Sequence, residues 1–448
     1  MNPDFDFTTS LFNIDTSSIE SFATKCTEDT VVYEITLKRT LSSCPYCGGT
    51  LIGHGHKSKH INHPALRNRS GMILYHANRY ICKSCKRTLF EANPFSLCGF
   101  NSSTLLLQDA MHLIGNLNYT LDMISKELHI SPTQLNTYID SFITIPPRPL
   151  PESLGIDELH SNALSRRTAT YLCVLVDNEN RCLYDILDSR SKYVLANHFS
   201  NIPRYERLRV KYITIDMWEP YRDIAKTYFP NAEVAVDPFH VIEHLTKDFD
   251  SLRISLMKSC DYHSNGYYLL KKWNWLLTTA NVDLDNERVF NHRFNMNMNR
   301  RDILNTIFDT FPKLHVAYEL KEYYRRFNKE ASYEDAVSKY DEIRKLFQKA
   351  EIEEYREFVL ILMNWKDEIL NSFQRPYDSR RLSNAYTENM NGKIRTYLDV
   401  SRGITNFTRF RKRVLYALNP KIGYGITARL RSEKQKGKSR GPYEKIQE

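Results

Sequence analysis

Residues 210–240 read VKYITIDMWEPYRDIAKTYFPNAEVAVDPFH, and two short apolar runs in this stretch flank a helix-like segment. The runs VKYITID and AEVAV are almost continuously apolar, which is typical of parallel strands buried on both faces. The segment EPYRDIAKTYF between them predicts a helix, and a right-handed crossover would place that helix on a face of the sheet. This stretch therefore predicts a strand–helix–strand unit within an α/β sheet.

The residues before this unit extend the predicted sheet. LGIDELH (154–160), TATYLCVLVD (168–177) and RCLYDILDS (181–189) predict three strands with hairpin-like spacing, and residues 177–180 predict the turn between the second and the third. A helix is expected at about 191–199. The predicted order is βββαβαβ, which is the order of the ribonuclease H-like fold.

Two acids occupy informative positions in this order. Asp157 lies within the first strand and Asp216 ends the fourth, and these strands are neighbours in a ribonuclease H-like sheet. Carboxylate oxygens are ligands that Mg²⁺ prefers, and two ions roughly 3.5–4 Å apart can activate an attacking oxygen and stabilise a leaving one. Taken singly, Asp157 fits an ordinary strand-end acid and Asp216 fits a helix N-cap. Together they predict a catalytic, metal-binding pair.

The N-terminal region carries two C-x2-C knuckles, Cys44-Pro-Tyr-Cys47 and Cys82-Lys-Ser-Cys85. Two thiolate pairs can close a tetrahedral zinc site, although four free thiols are the alternative. The interval between the knuckles exceeds the usual spacing of roughly 15–20 residues, and it predicts a loop followed by a strand. Four histidines in the interval could replace a cysteine, but exposed or phosphate-facing positions are favoured because four thiolates suffice: His54, His56, His60 and His63.

Residues 118–142, NYTLDMISKELHISPTQLNTYIDSF, predict two short helices. Thr120 is the expected N-cap of the first, residues 129–131 form the turn, and Ser131 caps the second helix with Pro132 at its first position. This pattern fits a DNA-binding helix-turn-helix, although a plain helical hairpin shares it. The DNA-binding interpretation places three side chains at base edges: Thr133, Gln134 and Asn136.

The bulk composition favours a polyanionic partner. The 448 residues carry a formal net charge of +9, which suits nucleic acid better than a small-molecule substrate. The chain has no apolar stretch of membrane-spanning length and no signal peptide at its start. We therefore expect a cytoplasmic, nucleoid-associated protein without a membrane partner, whose cysteines stay reduced.

These motifs occur in a characteristic order: the two knuckles, the helix-turn-helix, GIDE, ITID, VDPFH and finally SNAYTENMNGKIR (383–395). In this order the chain resembles a DDE transposase of a bacterial insertion sequence, of the ISL-three (ISL3) family, over roughly residues 40–420. The most specific parts are VDPFH and the pattern S-N-x-x-x-E-x-x-N-x-K-I. One departure is Ala385, where relatives usually have glycine.

The resemblance implies a metal-dependent polynucleotidyl transferase. Such enzymes bind transposon ends, cleave the DNA and join the 3′-OH to target DNA, using Mg²⁺ (or Mn²⁺), two ions at the catalytic site. Asp157 and Asp216 match the first two acids and Glu388 matches the third, while Asp237, His240 and Asn391 match supporting positions. The implied partners are double-stranded DNA of the ends and the target. A homodimer is expected, because two ends must be paired.

Basic residues flank the third acid, and they fit either phosphate contacts or a solvated helix face. Beside a DNA-cutting site we favour phosphate contacts for Arg395, Arg402, Arg409, Arg411, Lys412 and Arg413. Farther upstream, a helical stripe between 355 and 373 predicts core packing. Trp273 and Trp275, in KKWNWLL, fit either core packing or stacking on an unpaired base.

The predicted fold class is multidomain α+β. A zinc-binding domain with structural Zn²⁺ and a helix-turn-helix precede a ribonuclease H-like α/β catalytic domain, which a long α-helical insertion interrupts. The expected boundaries are 1–100 (zinc-binding), 101–148 (helix-turn-helix), 149–244 (catalytic, first part), 245–374 (insertion), 375–420 (catalytic, with the third acid) and 421–448 (basic tail).

Two other functions fit parts of this sequence. One is a zinc-dependent DNA-binding regulator, or a domesticated transposase that lacks strand transfer. The other is a nuclease that cuts DNA without joining it. A pure DNA-binding protein has no need of Asp157, Asp216 and Glu388 together, so the sequence favours a DNA transposase.

Overall fold

A computed structural model describes residues 11–65, 69–160, 170–377, 380–401 and 404–426. The chain divides into two compact units, one comprising Met1–Pro146 with Thr396–Glu448 and the other Pro147–Arg395. We call them unit 1 and unit 2. The first division falls near the predicted boundary at 148, whereas the predicted last catalytic segment, 375–420, is divided between the units. Within the described ranges, no helix is both long and apolar enough to cross a bilayer.

Unit 1 begins with a five-stranded sheet. Its strands are β1 (Ile19–Cys26), β2 (Thr30–Leu37), β3 (Leu51–His63), β4 (Ser70–Cys82) and β5 (Thr88–Phe90), in the order β1-β2-β4-β3 with β5 also paired to β4. The apolar face, with Ile35, Ile73 and Tyr75 at its centre, is fully buried.

The prediction of a loop before β4 is wrong. Residues 51–63 form strand β3, which pairs antiparallel with β4 along nearly its whole length. β3 lies at the edge of the sheet and most of its side chains are exposed. An edge strand can carry histidine and lysine because these side chains remain in water, so the polar composition concealed a strand.

Three helices follow in unit 1, namely α1 (Thr104–Ile114), α2 (Leu121–Leu128) and α3 (Pro132–Phe142). The predicted caps are confirmed: Thr120 Oγ1 accepts from Met123 N at 3.1 Å and Ser131 Oγ accepts from Gln134 N at 3.2 Å. Between them His129 adopts a left-handed conformation with φ of 52°, which turns the chain from α2 to α3.

Unit 2 is built on a second five-stranded sheet. Its strands are β6 (Ser153–His160), β7 (Tyr171–Asp177), β8 (Cys182–Leu187), β9 (Tyr212–Ile215) and β10 (Glu233–Val236), in the order β10-β9-β6-β7-β8. β6, β9 and β10 are parallel, and β7 pairs antiparallel with both β6 and β8. The connecting helices are α4 (Lys192–Ser200), the short α5 (Arg204–Arg207) and α6 (Glu219–Tyr228). The predicted order of strands and longer helices is confirmed, as is the neighbouring position of β6 and β9.

A largely helical segment follows β10. It comprises α7 (Pro238–Ser259), α8 (Asn265–Lys272), α9 (Asn274–Thr278), the hairpin of β11 (Val289–Asn291) and β12 (Met296–Met298), α10 (Arg300–Thr310), α11 (Pro312–Glu330), α12 (Tyr333–Lys349), α13 (Arg356–Asn364) and α14 (Lys366–Asn371). α7 runs unbroken through the predicted boundary at 245. The predicted core stripe is confirmed, because Tyr355, Phe358, Leu362, Trp365, Ile369 and Phe373 are all buried.

Two further helices close the described chain, α15 (Ala385–Val400) and α16 (Phe407–Leu418). α15 contains the SNAYTENMNGK motif from Ala385 onward. Asn406 caps α16 by accepting from Arg409 N at 3.0 Å, and α16 packs against α3 within unit 1. The predicted basic tail lies outside the described residues from 427 onward.

Candidate functional site

Asp157 lies within β6 and Asp216 directly follows β9, and these two strands are neighbours in the interior of the unit 2 sheet. The parallel register pairs Ile156 of β6 with Ile215 of β9, so the residues that follow them lie side by side. The two carboxyl groups are close enough for the charge of Asp216 to act on Asp157, and Asp157 is only 5% exposed. The sheet thus fixes Asp157 through backbone pairing and places Asp216 directly after a paired strand.

The proximity of the two carboxyl groups determines their titration. Burial, followed by the charge of Asp216, raises the pKa of Asp157 to about 9. The pKa of Asp216 is lowered despite its burial, because His240 and Asp157 donate hydrogen bonds to it. Two carboxylates this close in a buried site favour one shared proton or a bound cation.

His240 and Asp237 lie at the start of α7, directly after β10. Asp237 is the N-cap of α7, accepting from Phe239 N at 2.9 Å. His240 Nε2 is 2.9 Å from Asp216 Oδ1, and its Nδ1 is 3.4 Å from a carboxylate oxygen of Glu243. Burial lowers the pKa of His240, but its hydrogen bond with Asp216 outweighs that effect and raises the pKa to about 9. A protonated His240 offsets part of the negative charge.

Two asparagines attach α15 to both acids. Asn384 donates its backbone N–H to Asp237 Oδ2 at 3.0 Å, and its Nδ2 to Asp216 Oδ1 and to Ile156 O, both at 3.2 Å. Asn391 Nδ2 donates to Asp157 Oδ2 at 2.7 Å. Asn391 was expected to support the site, whereas Asn384 was not singled out. In the sequence, Asn384 could have been recognised from the Ser-Asn pair that opens the SNAYTENMNGK motif.

Gly155 allows α15 to approach the sheet closely. A Cβ at this position would lie 2.8 Å from Thr387 Oγ1 of α15 and 2.6 Å from Val176 Cγ2. Both distances are shorter than real Cβ contacts, so a larger residue would displace the helix or the neighbouring strand. The glycine of LGIDEL therefore contributes to the position of α15.

Glu388 lies on the same helix, between the two asparagines. Its N–H donates to Asn384 O at 2.8 Å, and Asn391 follows it by three residues, on a neighbouring part of the helix surface. Partial burial, then the charges of Asp237 and Asp216, raise its pKa. In the described chain, the carboxylates of Asp157, Asp216 and Glu388 do not form a cluster with all ligand atoms within 4.8 Å of one another. Glu388 is thus near the pair but does not close a cage around it.

The donor set at this site suits a hard cation. Besides the two carboxylates, the amide oxygens Asn384 Oδ1 and Asn391 Oδ1 are buried and have no hydrogen-bond donor among the described residues. Carboxylate and amide oxygens are the groups that coordinate Mg²⁺ and related ions. The residues present therefore fit a divalent metal.

Arg190 is a charged neighbour of the site that the sequence did not reveal. Its guanidinium forms an ion pair with Glu158, the residue after Asp157. The same group lies 4.0 Å from the ring centroid of Tyr171 and 4.6 Å from that of Trp218. Trp218 comes two residues after Asp216, so Arg190 ties together the segments that follow both acids.

Unit 1 contains the predicted cysteine cluster. The sulfurs of Cys44, Cys47, Cys82 and Cys85 all lie within 4.8 Å of one another. Cys44 and Cys85 are separated by 3.7 Å, and Cys47 and Cys82 by 3.5 Å. A tetrahedron with zinc–sulfur bonds of about 2.3 Å has edges of about 3.8 Å, so this cluster could hold zinc.

The two knuckles have matching backbone turns. Gly48 N donates to Cys44 O at 2.8 Å and Lys86 N donates to Cys82 O at 3.0 Å. Both donors adopt left-handed conformations, with φ of 71° at Gly48 and 58° at Lys86. The backbone N–H of Cys85 lowers the pKa of the Cys82 thiol to about 6, whereas the backbone N–H of Gly49 is outweighed by hydrogen bonds among the thiols, which raise the pKa of Cys47 to about 11. Cys82 is therefore the thiolate of this pair.

The histidines between the knuckles do not belong to this cluster. His54, His56 and His60 are exposed, as predicted. The expectation of exposure is wrong for His63, which is 3% exposed and stacks on Phe12 at a centroid distance of 5.1 Å. Burial lowers the pKa of His63 to about 4, so this histidine is neutral and part of the core. Its position at the end of β3, beyond the exposed part of the strand, explains the difference.

The helix-turn-helix side chains differ in exposure. Thr133 is exposed and Asn136 is half-buried in the wall of a cavity of about 470 Å³. Gln134 Nε2 donates to Tyr138 OH at 2.8 Å and also to Ser102 Oγ. These two bonds direct the Gln134 amide into unit 1, so Thr133 is the most accessible of the three.

The basic residues after Glu388 also differ from one another. Arg413 is 1% exposed and donates to Ile114 O at 3.1 Å, to Asn116 O at 3.4 Å and to Tyr119 O. In this arrangement its guanidinium satisfies carbonyls at the end of α1 and in the segment that follows, and it does not reach solvent. Burying a paired guanidinium requires such partners, so Arg413 stabilises unit 1.

Arg409 and Lys412 both contact Asp140 of α3. Arg409 donates to Asp140 Oδ2 at 2.9 Å and 2.7 Å, and Lys412 Nζ donates to Asp140 O at 3.1 Å. Arg395 is exposed and Arg411 is half-buried. Arg402 lies outside the described residues. Of the predicted phosphate contacts, Arg395 is the most accessible.

Two comparisons with known proteins found similarity. The profile of a family described as Transposase, of the ISL3 type, matches residues 154–414, which is more than half of the 448 residues. The transposase for insertion sequence element IS1001 of Bordetella parapertussis is 26% identical over 138 residues, covering 31% of this chain and 33% of that protein. The chain thus matches about a third of the length of this curated relative. The family match includes Asp157, Asp216, Asp237 and Glu388, together with Asn384 and Asn391.

Proposed function

The chain belongs to the ISL3 family of DDE transposases, and from this premise we propose that it cleaves DNA at the ends of an insertion sequence and joins them to target DNA. The observation that carries the proposal is the proximity of Asp157, within β6, to Asp216, which follows the adjacent strand β9, with α15 attached to both through Asn391 and Asn384. A protein that only binds DNA would gain nothing from burying two like charges together.

The chain's own residues would perform distinct tasks in this reaction. Asp157, Asp216 and Glu388 would hold the metal ions, and Asn384 and Asn391 would orient two of these carboxylates and the helix that carries the third. His240 would hold Asp216 in place through its Oδ1 and limit the repulsion among the acids. Two divalent ions at such a site activate the attacking oxygen and stabilise the leaving oxygen at phosphorus.

The proposed reaction has two steps at phosphorus. In the first, water attacks the phosphodiester at the transposon end, the phosphorus–O3′ bond breaks, and a 3′-OH is released. In the second, that 3′-OH attacks a target phosphodiester, so that one phosphorus–oxygen bond forms and one breaks. The joining step therefore conserves the number of phosphodiester bonds and requires no external energy source.

The two units would divide the work. We assign unit 2 to the ribonuclease H-like class, supported by its strand order and by the parallel pairing of the strands that carry the acids. We assign α2 and α3 to a DNA-binding helix-turn-helix, in which Thr133 is the side chain best placed to contact a base. We assign the cysteine cluster to structural zinc. Arg395 is the foremost phosphate contact. The substrate would be double-stranded DNA, and pairing two ends would require a homodimer.

The role of Glu388 has a direct test. We expect Glu388→Gln to reduce end cleavage and joining in Mg²⁺ by about 100-fold or more. The neutral amide would lack the negative charge with which Glu388 would hold the metal ions. The measurement is single-turnover cleavage of a labelled duplex that carries the element's ends. Glu342→Gln, an exposed acid on α12, is the control and should react at the wild-type rate. Unchanged cleavage by Glu388→Gln would exclude Glu388 as the third acid.

A further inference from the structure

The helical segment of unit 2 contains an open cleft that has no role in the proposed chemistry. Its volume is about 760 Å³, and α8, α9, the β11–β12 hairpin and the start of α10 form its walls. The side chains that matter are three aromatic and three basic ones: Tyr268, Trp273, Trp275, Lys272, Arg293 and Arg300.

The cleft is positively charged. No aspartate or glutamate is among the residues that line it. Arg300 donates to the backbone carbonyl of Asp283 at 2.9 Å, and Arg293 donates to the amide oxygen Asn265 Oδ1 at 2.8 Å. These acceptors are neutral, so they orient the guanidinium groups without cancelling their charge. The cleft thus presents directed positive charge to a polyanion.

The aromatic rings in the cleft are accessible. Trp275 is 38% exposed, and Phe290 on the hairpin is 46% exposed. The Trp273 and Trp275 rings are 6.0 Å apart with an interplanar angle of 39°. Lys272 lies 5.7 Å from the Trp273 ring and Arg300 lies 5.4 Å from the Trp275 ring. Of the two roles that the sequence left open for these tryptophans, Trp273 serves the core in part, whereas Trp275 faces the cleft.

We propose that this cleft binds an unpaired stretch of DNA strand, with a base stacked on Trp275 and its phosphates held by Lys272 and Arg300. Alternating aromatic and basic side chains are the common chemistry of single-strand binding, because every base has a stacking face and every linkage has a charge. A duplex hides its base faces, so it would use only the charges. This inference rests on the proposed function, in which strand cleavage exposes unpaired ends.

The cleft is within reach of the acids along α7. His240 contacts Asp216 near the start of this helix, and Glu243, Thr246, Lys247 and Asp250 of α7 share an open groove with Asn274 and Thr278 of α9. At 1.5 Å per residue, the helix from His240 to Asp250 rises about 15 Å. A strand at about 3.4 Å per nucleotide spans this rise with about five nucleotides. A strand cut at the acids could therefore reach Trp275.

The test compares single-stranded and duplex DNA on the full-length protein. Fluorescence anisotropy would measure the binding of a labelled oligothymidine and of a duplex of equal length. We expect Trp275→Ala to weaken oligothymidine binding about 10-fold, since stacking contributes about 1–3 kcal/mol per base, and to leave duplex binding unchanged. Trp275→Phe should retain most of the affinity. Arg300→Gln should reduce the salt dependence of oligothymidine binding, with a slope change of about 0.7.

Tyr333→Ala supplies the matched control, because Tyr333 has the same 38% exposure as Trp275 and lies on α12 outside the cleft. Wild-type oligothymidine binding by Trp275→Ala would overturn the inference. The inference would also be overturned if Trp275→Ala changed the association state of the chain and left oligothymidine binding unchanged. That result would assign the cleft to contact with a second copy of the chain. Duplex cleavage by the wild type is scored separately. If the wild type cuts end DNA but Trp275→Ala binds oligothymidine normally, only the inference about the cleft is refuted. If Trp275→Ala weakens oligothymidine binding but the wild type never cuts end DNA, only the proposed function is refuted.

Discussion

Replacing Asp216 by asparagine is expected to reduce cleavage and joining of end DNA by about 1,000-fold or more, which corresponds to about 4 kcal/mol of activation free energy. Asp216 is in contact with His240 and Asn384 and interacts electrostatically with Asp157, so it is the centre of the charge cluster. Asparagine has nearly the same shape, but it lacks the charge that would hold a divalent ion. The loss should therefore be catalytic and leave folding intact.

Two measurements distinguish a catalytic loss from a structural one. Asp216→Asn should bind end DNA with wild-type affinity and keep a cooperative unfolding transition, because asparagine retains the shape of the side chain although His240 loses its charged partner. Asp223→Asn, an exposed acid on α6 paired with Lys192, should cleave at the wild-type rate. Cleavage by Asp216→Asn at the wild-type rate would remove Asp216 from the chemistry.

Loss of the cysteine cluster should have the largest effect on stability. We expect Cys44→Ser to abolish the binding of one zinc ion per chain and to lower the unfolding temperature of unit 1 by about 10 °C or more. Structural zinc contributes about 10–16 kcal/mol in small zinc-binding peptides, and the cluster joins the segment before β3 to the turn after β4. Metal analysis and thermal unfolding of the full-length chain measure both effects.

Cys98→Ser is the control, since Cys98 is exposed and does not belong to the cluster. It should retain zinc and unfold within about 1–2 °C of the wild type, as surface substitutions usually do. A strong chelator should reproduce the effect of Cys44→Ser on the wild-type chain and leave the variant unchanged. Full stability of Cys44→Ser, or a wild-type chain purified without zinc, would contradict the structural role of the metal.

Local patterns were sufficient to predict the elements of the unit 2 sheet. The runs ending at Ile215 and Val236 are apolar because both faces of these strands are buried, and burial of that kind leaves a clear mark in sequence. The pairing of β6 with β9 then follows from the element order. The predicted neighbours Asp157 and Asp216 lie close together for this reason.

Elements with weak burial escaped prediction. β3 is an exposed edge strand, and the strands of the β11–β12 hairpin have three residues each. Neither carries enough buried side chains to produce an alternating pattern. Strand β3 is defined instead by its backbone pairing with β4. The amino-acid composition of a segment does not reveal such pairing.

The roles of single polar residues were the hardest to predict. Arg413 was grouped with phosphate contacts because charge is visible in sequence, whereas its acceptor Ile114 O is 299 residues away along the chain. Asn384 likewise gains its role from Asp237 and Asp216, which lie far upstream. Such long-range partners depend on the completed fold. A motif can indicate that a residue matters without naming what it contacts.

The most direct test of the proposed function is the joining reaction itself. The full-length wild-type chain would be incubated with a labelled duplex carrying the element's ends and an unlabelled target plasmid, in Mg²⁺ or in a chelator, and covalently joined product would be quantified over time. We predict that joined product accumulates in Mg²⁺ and is absent in the chelator. End DNA that is bound but neither cut nor joined in Mg²⁺ would contradict the account, and cutting without joining would reassign the chain to a nuclease.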